Sequence, residues 1–551
     1  MFYKTKKIWH LLTKKERIIF SFFSTIGIIS TLFLSYIYLD KITISVPVKG
    51  GKFVEGVVGQ PVFINPIISG NNDVDRDLVS LVFCNLFEIS DKIEKNGLSW
   101  HVRLKDNVFW HNGKRLTSDD VIFTINRIQD PDYKSPLSAS WQGVIASRSS
   151  EREITFSLSA PFAFFEDNLK KLYVIPKHIF ADIPLNNWRL SDYNLEPIGC
   201  GAFRFDSYQK KSDGFITKYI LKTNENYFKR PPYIETLELN FYTSAENAAE
   251  DFNLAKINGL GNIDKKQSSL VRLNAKLFSL PSPRYYAIFY NQNSNIALKD
   301  KNVRLALDVA IDKDKIIKDV FDGFGNKMIG PVTSNFLPNL NESHSEKLPT
   351  SKTDPKDILE NSGWKLIDNS FRKKIIGKQN IPLEFDLVVP EIPNLVETAN
   401  IIQKNWQDIG IKTNLVILPP TDINNEIIKN RDYQMILFGN IIGTSPDLFS
   451  FWHSSQKFYP GLNLSLYENK TADKLIESIR KSQNESERTE DLSLLNSLIP
   501  EDLPASFLYS SRYLYLVSSF LKGFGDKLIV TPADRFSDIT DWYIKTARKF
   551  K

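Results

Sequence analysis

Cysteine and histidine are scarce in this sequence. The 551 residues include only two cysteines, Cys84 and Cys200, and six histidines. Two cysteines exclude a disulfide framework, and no histidine has a second His or Cys at the spacing of a metal site. The two cysteines could form one disulfide outside the cytoplasm, but each lies among apolar or small residues, where a free buried thiol is common. We therefore predict no metal and no cofactor, and both states of the cysteines stay open.

Motifs for catalysis are also missing. The sequence has no H-E-x-x-H, no G-x-S-x-G and no G-x-x-x-x-G-K-[ST]. Acidic pairs such as Asp119-Asp120 and Glu501-Asp502 stand at helix starts or turns, where helix capping explains them better than acid–base catalysis. We predict that the protein is not an enzyme. An exported hydrolase with a site assembled from distant residues is the alternative.

The chain lacks a basic surplus outside its first 41 residues. Seven of the 70 Lys and Arg residues and two of the 64 Asp and Glu residues lie in 1–41, which leaves 63 basic and 62 acidic side chains. A nucleic-acid-binding protein would show a positive balance in its folded part. This distribution therefore predicts no nucleic-acid partner.

A long uncharged stretch lies near the N-terminus. Residues 18–39 contain no charge, and as a helix they would span roughly 33 Å, enough to cross a bilayer core. Six Lys and Arg residues precede the stretch. The positive-inside rule therefore predicts a cytoplasmic basic segment (1–17), a single-pass membrane anchor (18–39) and an extracytoplasmic remainder. A cleaved signal peptide is the alternative, disfavoured because its apolar region is usually about 7 to 15 residues long.

The rest of the chain has a mixed α/β pattern. Thr117 and Asp120 have the spacing of a capping box before a helical apolar face. A second helical face, at residues 395–406, ends near Gly410 and is followed at once by the alternating residues 411–417. A helix, a glycine turn and a strand in this order predict an α/β layer with parallel strands.

Several motifs, in a constant order, resemble the peptide/nickel-binding family of extracellular solute-binding proteins (family 5). The clearest is an Arg103-Leu104 strand, an aromatic-x-x-Gly turn at 110–113 and a Leu-Thr-x-Asp-Asp-Val helix start at 116–121. Further similar segments lie at 197–203, 224–232, 291–313 and 446–469. The resemblance extends over roughly residues 50 to 545.

The resemblance implies an α/β fold of two lobes, like that of periplasmic binding proteins, which closes on a ligand by hinge motion. It divides the chain into lobe I (42–290, with an inserted subdomain at about 80–190), lobe II (291–511) and a return to lobe I (512–551). The predicted anchor precedes the first lobe.

The same resemblance suggests which residues bind the ligand. In peptide-binding members a late aspartate holds the amino terminus, and Asp447 is the best match here. We expect Trp452, Phe449, Trp141 and Asn440 to face the cleft as well. Packing within a lobe is the alternative for the three aromatic residues, and helix capping is the alternative for Asp447.

The resemblance implies the substrate-binding component of an ABC importer, which captures oligopeptide-like ligands for permease subunits in the membrane. We expect a monomer, located at the cell membrane. The alternatives are a receptor for another solute, such as a nickel chelate or an oligosaccharide, and a membrane-tethered sensor or scaffold with the same fold.

Overall fold

The computed structural model describes residues 13–70, 72–264, 271, 275–337, 354–367 and 371–551. The first 12 residues of the predicted cytoplasmic segment lie outside this range. The strands are β1 Thr43–Val48, β2 Lys52–Val58, β3 Ser90–Asn96, β4 Ser99–Leu104, β5 Ile145–Ser150, β6 Glu153–Ser157, β7 Phe203–Lys210, β8 Ile216–Thr223, β9 Thr236–Tyr242, β10 Gly259–Gly261, β11 Ala275–Leu280, β12 Arg284–Tyr290, β13 Gly325–Lys327, β14 Lys365–Ile367, β15 Phe371–Ile376, β16 Gln379–Pro382, β17 Glu384–Pro390, β18 Lys412–Leu418, β19 Met435–Ile441, β20 Ala505–Ser511, β21 Tyr513–Ser518 and β22 Lys545–Phe550.

Helices of very different lengths connect these strands. They are α1 Lys14–Ile42, α2 Asp73–Val82, α3 Leu86–Ile89, α4 Ser118–Gln129, α5 Ser138–Trp141, α6 Phe165–Lys171, α7 Lys177–Phe180, α8 Leu185–Trp188, α9 Ala245–Asn253, α10 Lys301–Val309, α11 Lys313–Phe321, α12 Pro355–Asn361, α13 Pro393–Asp408, α14 Pro420–Asp422, α15 Phe449–Trp452, α16 Lys470–Lys481 and α17 Glu485–Asp502. The capping box predicted at Thr117 and Asp120 is present at the start of α4, where the Asp120 carboxylate accepts the Thr117 N–H at 2.9 Å.

Three sheets carry most of the architecture. A seven-stranded sheet has the order β11-β21-β10-β2-β9-β8-β7, a six-stranded sheet has the order β13-β20-β12-β19-β17-β18, and a four-stranded sheet has the order β3-β4-β6-β5. The predicted parallel pairing after Gly410 is confirmed, because β18 runs parallel to β17 and β17 runs parallel to β19.

The six-stranded sheet is covered on both faces. Alternate residues of a strand point to opposite faces, and in β12 Tyr285, Ala287 and Phe289 belong to one hydrophobic cluster while Ile288 and Tyr290 belong to another. The seven-stranded and four-stranded sheets share a third, large cluster that includes Phe53 and Trp100. The four-stranded sheet therefore packs as an extension of the seven-stranded one.

The two cysteines form a disulfide. Cys84 and Cys200 are both almost fully buried, with 5.4 Å between their Cα atoms. The backbone on either side of Cys200 approaches α2 closely, and the Gly201 N–H donates to the Val82 carbonyl at 2.8 Å. A Cβ at Gly199 or Gly201 would collide with the carbonyl oxygens of Val82 or Leu81. The two glycines thus allow the close contact that the disulfide closes.

Helix α1 and the strands β1 and β22 form a separate feature. The 29-residue helix is long and apolar enough to cross a membrane, and none of its residues is buried. It leads directly into β1, which pairs antiparallel with the C-terminal strand β22 in a two-stranded ribbon. The Arg548 guanidinium donates to the Asp40 carboxylate at 2.6 Å, so the ribbon is tied to the last turn of α1. Length and composition of α1 suit both an anchor and a signal sequence.

A buried ion cluster joins distant parts of the seven-stranded sheet. Arg535 donates from Nε to Glu55 on β2 at 2.8 Å and from Nη1 to Asp77 on α2 at 2.8 Å. Tyr515 on β21 also donates to Glu55, at 2.9 Å. These four residues are at most 2% exposed. Burial raises the pKa values of Glu55 and Asp77, and the Arg535 charge opposes that rise.

We expect Arg535→Ala to lower the free energy of unfolding by about 3–5 kcal/mol, because it leaves two carboxylates buried without a cation. Arg103→Ala is the matched control, since Arg103 forms an exposed pair with Glu153 at 3.4 Å, and we expect it to cost less than about 1 kcal/mol. Urea denaturation of both variants measures the difference. Equal costs would contradict the role given to the cluster.

Candidate functional site

The chain passes between the seven-stranded and six-stranded sheets at two neighbouring places. Residues 281–283 connect β11 to β12, and Arg512 alone connects β20 to β21. The predicted first boundary, at 290, comes at the end of β12, yet β12 pairs with β19 and β20, so the change of sheet occurs about one strand earlier. Short paired crossings between two sheets are typical of a hinge. The division into lobes with the stated boundaries stays a prediction.

Three cavities adjoin the crossings. The largest of the three, of about 480 Å³, is lined by the crossing residues Ser282 and Arg512, by Ser511 at the end of β20, and by strand β13 with the residues that follow it. A second cavity, of about 250 Å³, and a third, of about 70 Å³, are each lined by residues of both sheets. All three share Ser511 and Arg512. A ligand pocket usually measures about 300–1,000 Å³, so the 480 Å³ cavity has the volume for a small solute.

Polar groups without protein partners face this region. Thr333 is almost fully buried and lines the 480 Å³ cavity, and its hydroxyl has no hydrogen-bond partner among the described residues. Arg284 lines the two smaller cavities, and its Nε is buried without a partner in the same part of the chain. Arg512, by contrast, donates from Nε to the Ser279 hydroxyl at 2.7 Å. Buried polar groups are normally satisfied, and these two belong to a larger set of such atoms in the described residues, which also includes Trp100 Nε1 and Arg127 Nε. A ligand is one explanation for the pair beside the crossings.

Two of the predicted site residues meet in a buried network. The Asn440 amide and the Trp452 indole N–H both donate to the Tyr285 hydroxyl, at 3.2 and 3.1 Å. All three residues are buried, and burial raises the pKa of Tyr285. The two hydrogen bonds give the Asn440 amide N–H and the Trp452 indole N–H a common acceptor within the six-stranded sheet's core. The placement favours the packing alternative for Trp452.

Asp447 and Phe449 meet at a different place, around Arg480. The Asp447 carboxylate lies 3.3 Å from Arg480 Nε and accepts the Phe449 N–H at 3.1 Å. Arg480 also lies over the Phe449 ring at 4.3 Å. Burial raises the pKa of Asp447, and the neighbouring cations Arg480 and Lys171 oppose the rise. A ligand amine would have to compete with Arg480 for this carboxylate.

Arg480 also contacts a segment from the other half of the molecule, which contains the seven-stranded and four-stranded sheets. The segment 162–164, which follows the four-stranded sheet, packs against the six-stranded sheet here. The Ala163 N–H donates to the Arg480 carbonyl at 2.7 Å, and the Arg480 guanidinium lies 5.1 Å from the Phe162 ring. Phe164 belongs to the hydrophobic cluster of the six-stranded sheet. These contacts join the two halves of the molecule.

Trp141 lies apart from the other predicted residues. It is 1% exposed and packs against Phe156 and Phe165 in the core beneath the four-stranded sheet. This position gives it no surface toward the crossings or toward Asp447. The structure therefore brings together Asn440 with Trp452 and Asp447 with Phe449, and leaves Trp141 in a separate core.

Sequence reasoning did not find Arg284, Arg512 or Thr333. The available signal was small: Arg284 is a charge directly before the apolar stretch 285–290, and Arg512 is a charge within the strand-like stretch 508–516. A charge at the end of a buried strand often marks a functional position. No group of three or more His, Cys, Asp and Glu side chains that could hold a metal ion occurs in the described ranges.

Comparison with known proteins identifies the family. A sequence model described as bacterial extracellular solute-binding proteins, family 5 Middle, matches residues 85–459. The chain belongs to this family. The resemblance predicted from the motifs at 103–121 and beyond is thereby confirmed.

Relatives of known structure have the same fold. The oligopeptide-binding protein AppA of Bacillus subtilis is 26% identical over 501 residues, which are 87% of this chain and 89% of AppA. Its structure in complex with a nonapeptide has a TM-score of 0.71, at 24% identity, and covers 91% of this chain and 100% of that one. The structure of NikZ from Campylobacter jejuni with Ni(L-His) has a TM-score of 0.70, at 22% identity, with coverages of 89% and 99%. The predicted periplasmic-binding-protein-like α/β fold is confirmed.

We expect Phe164→Ala to loosen the contact between the two halves, because it removes a large apolar side chain from the cluster of the opposite sheet. Small-angle X-ray scattering should then show a larger radius of gyration than for the wild type. Phe87→Ala is the control, since Phe87 lies on the outer surface near the four-stranded sheet and is 37% exposed. An unchanged radius in Phe164→Ala would show that segment 162–164 does not hold the halves together.

Proposed function

We propose that this protein is the substrate-binding component of an ABC importer and captures oligopeptide-like solutes in the cavities beside the crossings, without catalysis. The observation that carries the proposal is the 480 Å³ cavity against an edge strand. Strand β13 is the last strand of the six-stranded sheet, and its residues Gly325, Asn326 and Lys327 line that cavity.

An edge strand suits a ligand with a peptide backbone. Its outer edge offers N–H and C=O groups to which an extended peptide can add as a further strand, while cavities hold the side chains. Such pairing does not depend on the ligand's sequence. AppA of Bacillus subtilis, which this chain resembles over most of its length, is named as an oligopeptide-binding protein and was solved with a nonapeptide.

Hinge closure supplies the capture step. The two halves touch at segment 162–164 and are joined by the short crossings, so a ligand beside the crossings contacts both sheets. A ligand that binds the closed state more tightly shifts the population toward it. Permease subunits would recognise the closed shape, and the protein itself acts as a monomer.

We expect short peptides to stabilise the full-length protein in detergent. A peptide at 100 times its Kd should raise the free energy of unfolding by about 2.7 kcal/mol, which a thermal-shift assay detects. Di- to pentapeptides are compared with oligosaccharides and nickel–histidine chelates, and added peptides are recovered and weighed by mass spectrometry to detect cleavage. Stabilisation by sugars or chelates alone would replace the peptide assignment, and peptide turnover would indicate an enzyme.

Helix α1 is proposed to remain as a single-pass anchor with its N-terminus in the cytoplasm. We expect the protein isolated from membranes of an expressing bacterium to retain residues 1–41 by intact mass, because the apolar stretch is long and its basic flank precedes it. Protease added to intact cells whose outer membrane has been removed should digest the residues that follow the anchor. A mature chain that starts after the helix would instead establish a signal peptide.

A further inference from the structure

Arg284 has a guanidinium group that the protein leaves unused. The residue starts β12, directly after the first crossing, and its Nε is buried without a hydrogen-bond partner in the described part of the chain. No ion pair between described residues includes it. Arginine stays charged in proteins and presents five donors in a planar fork. Its free donors lie beside a cavity and can bind an anion that enters it.

The acidic groups nearby are already engaged. Asp73, which lines the 70 Å³ cavity with Arg284, pairs with Arg76 at 2.9 Å. Asp264, which lines the 250 Å³ cavity with Arg284, is not free either. Neither carboxylate therefore supplies the missing partner of Arg284.

The second cation at the site strengthens the positive field. Arg512 lines both cavities with Arg284, and its Nε and Nη2 donate to Ser279, the latter at 2.5 Å to the carbonyl. Both partners are neutral, so they do not compensate the positive charge of Arg512. Ser282 and Ser511 add hydroxyl donors to the wall of the small cavity. Two arginines and two hydroxyls match the oxygens of a carboxylate.

The sizes of the cavities distinguish an end group from a whole ligand. The small cavity, of about 70 Å³, has the room of roughly two water molecules, which accommodates a carboxylate but not a peptide. It shares Ser282, Ser511 and Arg512 with the 480 Å³ cavity. A ligand can therefore place its charged end in the small cavity and its body in the large one.

We propose that Arg284 binds the carboxylate of the transported solute, so that the substrates are peptides with a free C-terminal carboxylate rather than blocked peptides or neutral sugars. The assignment rests on the proposed function, since it names the ligand end that this site selects. A bidentate Arg–carboxylate contact between the two sheets would also join the ligand to the start of β12, where the chain enters the second half.

The test compares one peptide in two forms. The tightest binder of the di- to pentapeptide screen and its C-terminal amide are titrated by calorimetry into the full-length protein in detergent. We expect the wild type to bind the free acid at least about tenfold more tightly than the amide, equivalent to about 1.4 kcal/mol. Arg284→Gln should lose about that factor for the acid, keep its affinity for the amide, and thereby abolish the preference. Arg284→Lys should keep part of the preference because it retains the charge without the fork.

Arg148→Gln serves as the control, because Arg148 is exposed on the four-stranded sheet beside Asp119, and both affinities should stay unchanged. A wild type that binds acid and amide equally would overturn the assignment to Arg284 while leaving peptide binding intact. A preference that survives in Arg284→Gln, or a loss of amide binding in that variant, would also overturn it. If no peptide of the screen binds to the wild type, the proposed function itself fails.

Discussion

The buried contact between Arg535 and its two carboxylates holds the walls of the site in place. After the second crossing the chain must return to the seven-stranded sheet, and Arg535 fixes that return to β2 and α2 through Glu55 and Asp77. The Pro532 carbonyl accepts from the same arginine at 2.7 Å, and Pro532 lines the 70 Å³ cavity. Asp73, at the start of the helix that carries Asp77, lines it as well. Removing the cation would disturb a cavity wall as well as the core.

The two halves of the molecule are joined at the crossings and at segment 162–164. The crossings bring Arg284 and Arg512 to the place where both sheets meet, so a bound anion contacts groups that belong to different halves. Segment 162–164 joins the halves at another place, through a backbone hydrogen bond and an aromatic contact with Arg480. Arg480, which forms this second contact, also pairs with Asp447. The Asp447–Arg480 pair therefore belongs to this contact between the halves.

Local rules predicted the local structure well. The capping box at Thr117, the strand after Gly410 and its parallel pairing, and the order of the family motifs are all properties of neighbouring residues, and each is confirmed. The disulfide could not be decided, because Cys84 and Cys200 are 116 residues apart and only the fold places them together. The site was harder still: whether a tryptophan such as Trp141 faces a cleft or a core depends on which helix packs over it.

The same limit explains the sheet boundary and the two arginines. The apolar strand β12 satisfies the pattern of either sheet, so its sequence does not say which sheet it joins. Arg284 differs from many surface arginines only by the absence of a partner, and a partner is a property of the assembled fold. The predicted Asp447 illustrates the reverse case, since its type and position suit a ligand contact but the fold supplies Arg480 beside it.

The ribbon of β1 and β22 brings the two ends of the large domain to one point. The last residue, Lys551, donates its backbone N–H to Ile42 at 2.9 Å, and Phe550 lies opposite Thr43. A fragment that starts at Thr43 retains both strands, whereas one that starts at Lys49 leaves β22, which carries the exposed Phe550, as an open edge prone to self-association. A reporter fused behind Lys551 would be located at the foot of the leading helix.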